Sequence, residues 1–273
     1  MTWKVHAHPV LIVGGLRALM VQALHPLAMA GVAQYSDFRA DPLKRLRATA
    51  RYVHAVTFGD AEMAHAAATR VKRVHARVRG VDPVTGQRFA ASDPELLLWV
   101  HCVEVHSFLA GVRAYGYRLS ADEQDRYLAE QVAAAELIGI RGDSVPDSRA
   151  AYREYFADML PRLCTSAEAA ATIDFVRRPS LPDRRLQIAA GPALRILGQA
   201  ATALVPLSLR AIAGVPDPGP GDLPARAAVV IASRALLESR RLPWLGWRIE
   251  SPVRRALLGV GSFPGTLRVA GSA

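Results

Sequence analysis

Three apolar helical stripes in this sequence carry polar residues that could do chemistry. Ala64, Ala68, Val71, His75 and Val78 step by four, three, four and three, so they share one helix face and turn His75 inward. Leu97, His101, Val105 and Phe108 form a second face and turn His101 inward. Arg45, Thr49, Val53 and Val56 form a third, on which a buried Arg and Thr one turn apart would need hydrogen-bond partners. Each has a plain structural alternative. An inward histidine is more often a satisfied core residue than a ligand. Arg45 can snorkel with its head in water, and Thr49 can bond back to the carbonyl of Arg45. His25, before Pro26, can mark a helix break. His6 and His8 lie near a terminus, and His54 and His106 have no polar partner evident in the sequence.

Spacing narrows the metal chemistry. Glu62-x-x-His65 is half of a di-iron motif, and His101-x-x-Glu104 has the reverse order, so the second half is missing. There is no HExxH, P-loop, dinucleotide fingerprint or nucleophile elbow. An inward histidine among small and aliphatic residues suits haem, which needs an apolar slot, one imidazole on the iron, and donors for its propionates and oxygen. On residue chemistry alone, haem is one option among several.

The elements that must position these residues read as helix after helix. Asp41-Pro42 predicts a helix to about Gly59, and Asp60 caps one that should stop at Gly80. Ser92-Asp93-Pro94 opens a helix to about Tyr115, Ser120 with Glu123 has capping-box spacing, and Asp147 or Ser148 and Ser166 open two more. Ala193–Ala203, Ala225–Glu238 and Val253–Leu258 also look helical. No run alternates with period two, and Asp82–Phe89 reads as a connecting loop. The expected fold is all-α, a single globular bundle over residues 1–273, with a structural break at 214–224.

With 273 residues, 51% of them apolar, the chain can bury a sizeable core. The formal charge is +10, but its arginines are spread along the chain and aromatics are only 7%, which argues against nucleic acid as a partner. It leaves contact with an anionic membrane surface open. The uncharged run Ala18–Ser36 includes Gln22, His25, Pro26 and Gln34, so it reads as a buried helix rather than a membrane span. Two cysteines, Cys102 and Cys164, make neither a disulfide framework nor a zinc site. A reducing, cytoplasmic location with peripheral membrane contact as the minor option is expected.

Seven short motifs recur in order: Gln22-x-x-His25-Pro26, Tyr35-Ser36, Arg45-x-x-x-Thr49, Thr57-Phe58-Gly59, His75-x-x-Val78-x-Gly80, Asp93-Pro94 and Trp99-Val100-His101. Over roughly residues 11–139 this set resembles the rubber-oxygenase catalytic-domain superfamily, which includes bacterial latex-clearing proteins and the mycophenolate-pathway oxygenase. The resemblance implies an all-helical fold with a pocket between helices for haem b, and O₂-dependent oxidation or cleavage of a lipophilic, isoprenoid-like small molecule. Carried over by position, His75 corresponds to the proximal iron ligand, with His101 the second choice and His25 at the haem edge or a propionate. Arg45 and Thr49 correspond to polar residues on the oxygen-binding side. One position departs. Latex-clearing proteins carry a lysine able to sit on the iron where this chain has Ala48, and their acidic base has no match. Polyisoprene cleavage is therefore not implied, and a haem- or lipid-binding protein without turnover is the alternative.

Overall fold

In the computed structural model, residues 1–239 are described apart from 37, 182 and 218. The expected helix at Val253–Leu258 lies outside the described residues. The architecture is all-α. Its centre is α6 (Pro94–Tyr115), capped by Asp93, whose carboxylate accepts from the Glu95 N–H at 2.9 Å. By length and composition α6 could cross a bilayer. In this fold it is the helix the others cover: Trp99, Cys102, Val103 and Val112 are fully buried.

Helix α1 (Thr2–His6) leads to α2 (Leu11–Gln22), which packs along α6. The uncharged run is two helices rather than one, because α3 (Pro26–Tyr35) leaves α2 at a bend of 106°. His25 is extended there, as the residue before a proline prefers, and Pro26 takes the first helical position. On one side α10 (Ala167–Arg177) and α11 (Arg184–Ala203) pack against α2, and α13 (Leu223–Ser239) packs on α11 and α6. On the other side α4 (Pro42–Phe58) pairs with α5 (Ala61–His75). Helix α1 braces α4, and α8 (Val132–Ile138), which follows α7 (Ala121–Glu130), braces α5. Helix α9 (Arg149–Met159) lies against α7, and α12 (Leu207–Ile212) precedes the 214–224 segment.

Three expectations about elements need correction. Helix α5 stops at His75, not Gly80, because the chain turns into a two-stranded antiparallel hairpin, β1 (Arg79–Val81) and β2 (Arg88–Ala90). The intervening segment is thus a hairpin turn, fixed by the Asp82 carboxylate, which accepts from the Val84 and Thr85 N–H groups and the Thr85 hydroxyl. Gly86 closes it at φ 71°. Helix α11 begins nine residues before Ala193, with Asp183 capping its first turn and Pro192 tolerated inside it.

The α2–α6 crossing depends on glycine. A Cβ on Gly14 would lie 2.7 Å from the Ser107 carbonyl oxygen and 2.9 Å from Phe108 Cα, whereas one on Gly15 would meet only the Phe108 ring at 3.9 Å. Gly14→Ala gains about 1 kcal/mol of helix propensity but overpacks backbone, which costs about 1–3 kcal/mol. Urea denaturation should therefore show Gly14→Ala destabilised by up to about 2 kcal/mol and Gly15→Ala unchanged or stabilised. Equal stability of the two variants would contradict this account of the crossing.

Candidate functional site

The inward stripes of α4 and α5 face α6 without closing on it. Among the described residues of α4 only Thr57 is buried, and α5 buries only Ala64 and Ala68. Two amphipathic helices that bury so few residues meet the core helix along a loosely packed seam, or cleft. Arg45 and Glu104 approach across it, since each alters the ionisation of the other.

Arg45 keeps open surface, so the expectation of a fully enclosed, hydrogen-bonded Arg–Thr pair is not met; Thr49 is exposed and makes no hydrogen bond among the described residues. Arg45 is nonetheless desolvated. Burial lowers its pKa and the Glu104 carboxylate raises it. That combination describes an exposed side chain whose stem is shielded from water and whose charge reaches Glu104. Glu104 stands deeper. Desolvation lifts its carboxyl to about 7, against the opposing pull of Arg45. The same carboxylate raises the pKa of Tyr52 beyond what burial alone does.

His75, half-buried at the end of α5, completes this group. Burial lowers its pKa, and the nearby Arg45 guanidinium lowers it further, so the ring is held neutral. A neutral imidazole is the form that ligates metal. His101 is buried on α6, its pKa lowered to about 4 by desolvation, and its Nε2 has no hydrogen-bond partner. His25 is buried where α2 meets α3, its ring 5.8 Å from that of Trp99, and its Nδ1 is also unpartnered. Arg45 thus lies within electrostatic reach of both Glu104 and His75, while His25 stands apart beside Trp99.

A second polar group supports the cleft from behind. His6 Nδ1 lies 2.7 Å from Thr57 Oγ1, and its Nε2 lies 3.0 Å from Tyr127 Oη. Burial lowers the His6 pKa to about 4, so the neutral ring donates through one nitrogen and accepts through the other. Trp3 Nε1 donates to the Thr57 carbonyl at 2.7 Å. Helix α1 thereby ties the end of α4 to α7, and Tyr127 in turn lies within the field of Glu104.

Arg17 is a buried cation held by neutral partners. It donates to the Leu204 carbonyl at 3.0 Å, to Ser107 Oγ and to His106 Nδ1, and desolvation lowers its pKa to about 10. It fastens α2 to α6 and to the end of α11, and it supplies the His106 partner that the sequence did not reveal.

Among the described residues no three His, Cys, Asp or Glu side chains converge as a metal cluster. His65 of the half di-iron motif is exposed and bonds back to the Ala61 carbonyl at 2.7 Å. Haem needs only one protein ligand, and this site offers neutral imidazoles, a guanidinium and open apolar faces. The donor set fits haem better than a bare ion.

Over residues 3–236 the chain matches the family described as ER-bound oxygenase mpaB/B′/rubber oxygenase, catalytic domain. It belongs to this family. No curated protein and no solved structure matches it. The oxygenase is therefore an enzyme that uses O₂ and a substrate, and the family match extends well beyond the motifs at 11–139.

Proposed function

We propose that this oxygenase depends on haem b and oxidises or cleaves a lipophilic, isoprenoid-like small molecule. The family of the chain carries the reading, supported by a neutral, half-buried His75 and a buried Glu104 that both lie within electrostatic reach of Arg45. Haem b, when bound, supplies a redox-active iron able to activate O₂. His75 would hold it, with buried His101 the second choice; His25, beside Trp99, stands apart from Arg45 and His75. Ala48 carries no amine and so would not hold the group from α4.

The remaining work falls to side chains of this chain. Arg45 presents up to five N–H donors, fixed in a fork, either to negative charge developing on oxygen or to a propionate. Thr49, one turn along α4, adds a hydroxyl donor on the same side. Glu104, with its carboxyl near neutrality, can hold or release a proton on a carboxyl oxygen. A lipophilic substrate would need an apolar lining there, and Val53 and Val56, partly buried on the same stripe of α4 as Arg45 and Thr49, would supply part of it. Cys102 is buried and Cys164 half-buried, both free thiols, which supports a reducing, cytoplasmic setting.

The purified protein should be red, with about one haem b per chain. Acidic organic solvent should extract it, since the chain has no Cys-x-x-Cys-His attachment motif. Oxygen uptake that requires an added prenylated substrate would establish turnover. A colourless protein that takes up no added hemin would overturn the proposal.

A further inference from the structure

The face of α5 opposite His75 has no role in the cleft, and its composition is unusual. Tyr35, Ala66, Arg70, Arg73, Val74, Arg77 and Val78 line a surface groove of about 610 Å³. Arg70, Arg73 and Arg77 are exposed, and none takes part in an ion pair among the described residues. From Met63 to Val81 the chain contains no acidic residue but carries Lys72 and Arg79 as well as these three arginines. Helical charge is usually balanced at i,i+4, and here nothing balances it. Val74 and Tyr35 on the groove, and Val81 and Val84 on the adjoining hairpin, are each more than half exposed.

We propose that this arginine-lined groove docks the enzyme on the surface of an anionic phospholipid bilayer. Unpaired guanidiniums beside exposed valines match a leaflet, whose phosphates and carboxylates stand over acyl chains. The apolar half of the groove offers nothing to a free phosphate ion. Nucleic acid would need stacking rings, and Tyr35, the one aromatic residue here, has its hydroxyl committed to the Arg79 carbonyl at 2.7 Å. Docking through α5 would press the outer face of the His75 helix to the surface in which a lipophilic substrate dissolves. The inference stands on the outer face of α5 and holds whichever histidine binds a cofactor.

Vesicle co-sedimentation of the protein as purified tests it, with no turnover needed. Binding is expected to phosphatidylcholine vesicles containing about one third phosphatidylserine and to be lost in high salt, with little binding to pure phosphatidylcholine. The triple variant Arg70→Gln/Arg73→Gln/Arg77→Gln should bind about 100-fold more weakly, each basic residue near a charged leaflet being worth roughly fivefold. Arg118→Gln/Arg153→Gln/Arg195→Gln removes the same charge from exposed positions elsewhere and should bind like the wild type. Equal loss in both variants would reduce the effect to net charge and overturn the groove assignment, as would unchanged binding of the first. Displacement by inorganic phosphate or by a single-stranded oligonucleotide at moderate salt would overturn the choice of a bilayer. Circular dichroism of each variant shows that the fold is kept, and haem content is read separately, so failure of docking and failure of the cofactor proposal are distinct results.

Discussion

His75→Ala should yield a colourless protein of nearly unchanged helix content. The substitution removes the imidazole that lies within reach of the Arg45 charge, and with it the proposed iron bond. The cost to the helix itself is small. Alanine is the best helix former, so propensity favours the change by a few tenths of a kcal/mol. A charged histidine in a last turn can be worth about 0.3–1 kcal/mol against the helix dipole, but burial and Arg45 keep this one neutral, and little of that is lost. His101 provides the contrast. Its Nε2 is buried and unpartnered, and an orphaned polar group costs about 1–3 kcal/mol. His101→Leu keeps the volume and removes the orphan, so the variant should retain haem and be as stable as the wild type or more so. Haem absorbance relative to protein, with chemical denaturation of both variants, decides the matter. Loss of haem in His101→Leu with retention in His75→Ala would reverse the assignment.

The helical frame was largely legible because its boundaries are written in local chemistry. Asp41, Asp60, Asp93, Ser120, Ser148 and Ser166 each accept a backbone N–H of the first turn, as their positions imply. The hairpin escaped because strands of three residues are too short to show alternation, and the signal lay in a turn built on Asp82 and Gly86. The start of α11 escaped because Pro192 reads as a breaker, although the helix accommodates it. At the site, helical period found the inward faces of His75 and His101, but period cannot report depth. Arg45 and Thr49 lie on the predicted stripe and remain open because α4 does not close on α6. Glu104 carried a usable signal, as the one charged residue between Glu95 and Arg113 in an otherwise apolar helix. A carboxylate placed there must find a compensating charge or hold its proton, and burial raises its pKa to about 7 against the opposing pull of Arg45. His6 had no such signal. Its partners, Thr57 and Tyr127, are 51 and 121 residues away, and only the packing of α1 joins them.

Arg45→Ala is expected to lower turnover by two to three orders of magnitude while leaving the cleft folded. A preorganised donor aimed at developing negative charge is typically worth about 2.7–4 kcal/mol in the transition state, which corresponds to roughly that range in rate. Arg45 is well placed to act so, because partial desolvation strengthens its field and Glu104 keeps its charge in position. The fold should tolerate the change, since Arg45 retains open surface and α4 gains an alanine. Arg45→Lys tests the fork: if two parallel N–H bonds matter, an ammonium should restore only part of the rate. The substitution to alanine also has electrostatic consequences of known sign. Arg45 pulls the Glu104 pKa down and lowers that of His75, so its removal should move both upward, Glu104 beyond about 7. Difference infrared spectroscopy of the Glu104 carboxyl stretch, with Glu104→Gln as the reference, would follow the first shift. Wild-type turnover with weakened haem retention would instead place Arg45 on a propionate. An unchanged Glu104 titration in Arg45→Ala would show that the two side chains do not influence one another across the cleft, and the arrangement on which the site rests would fall with it.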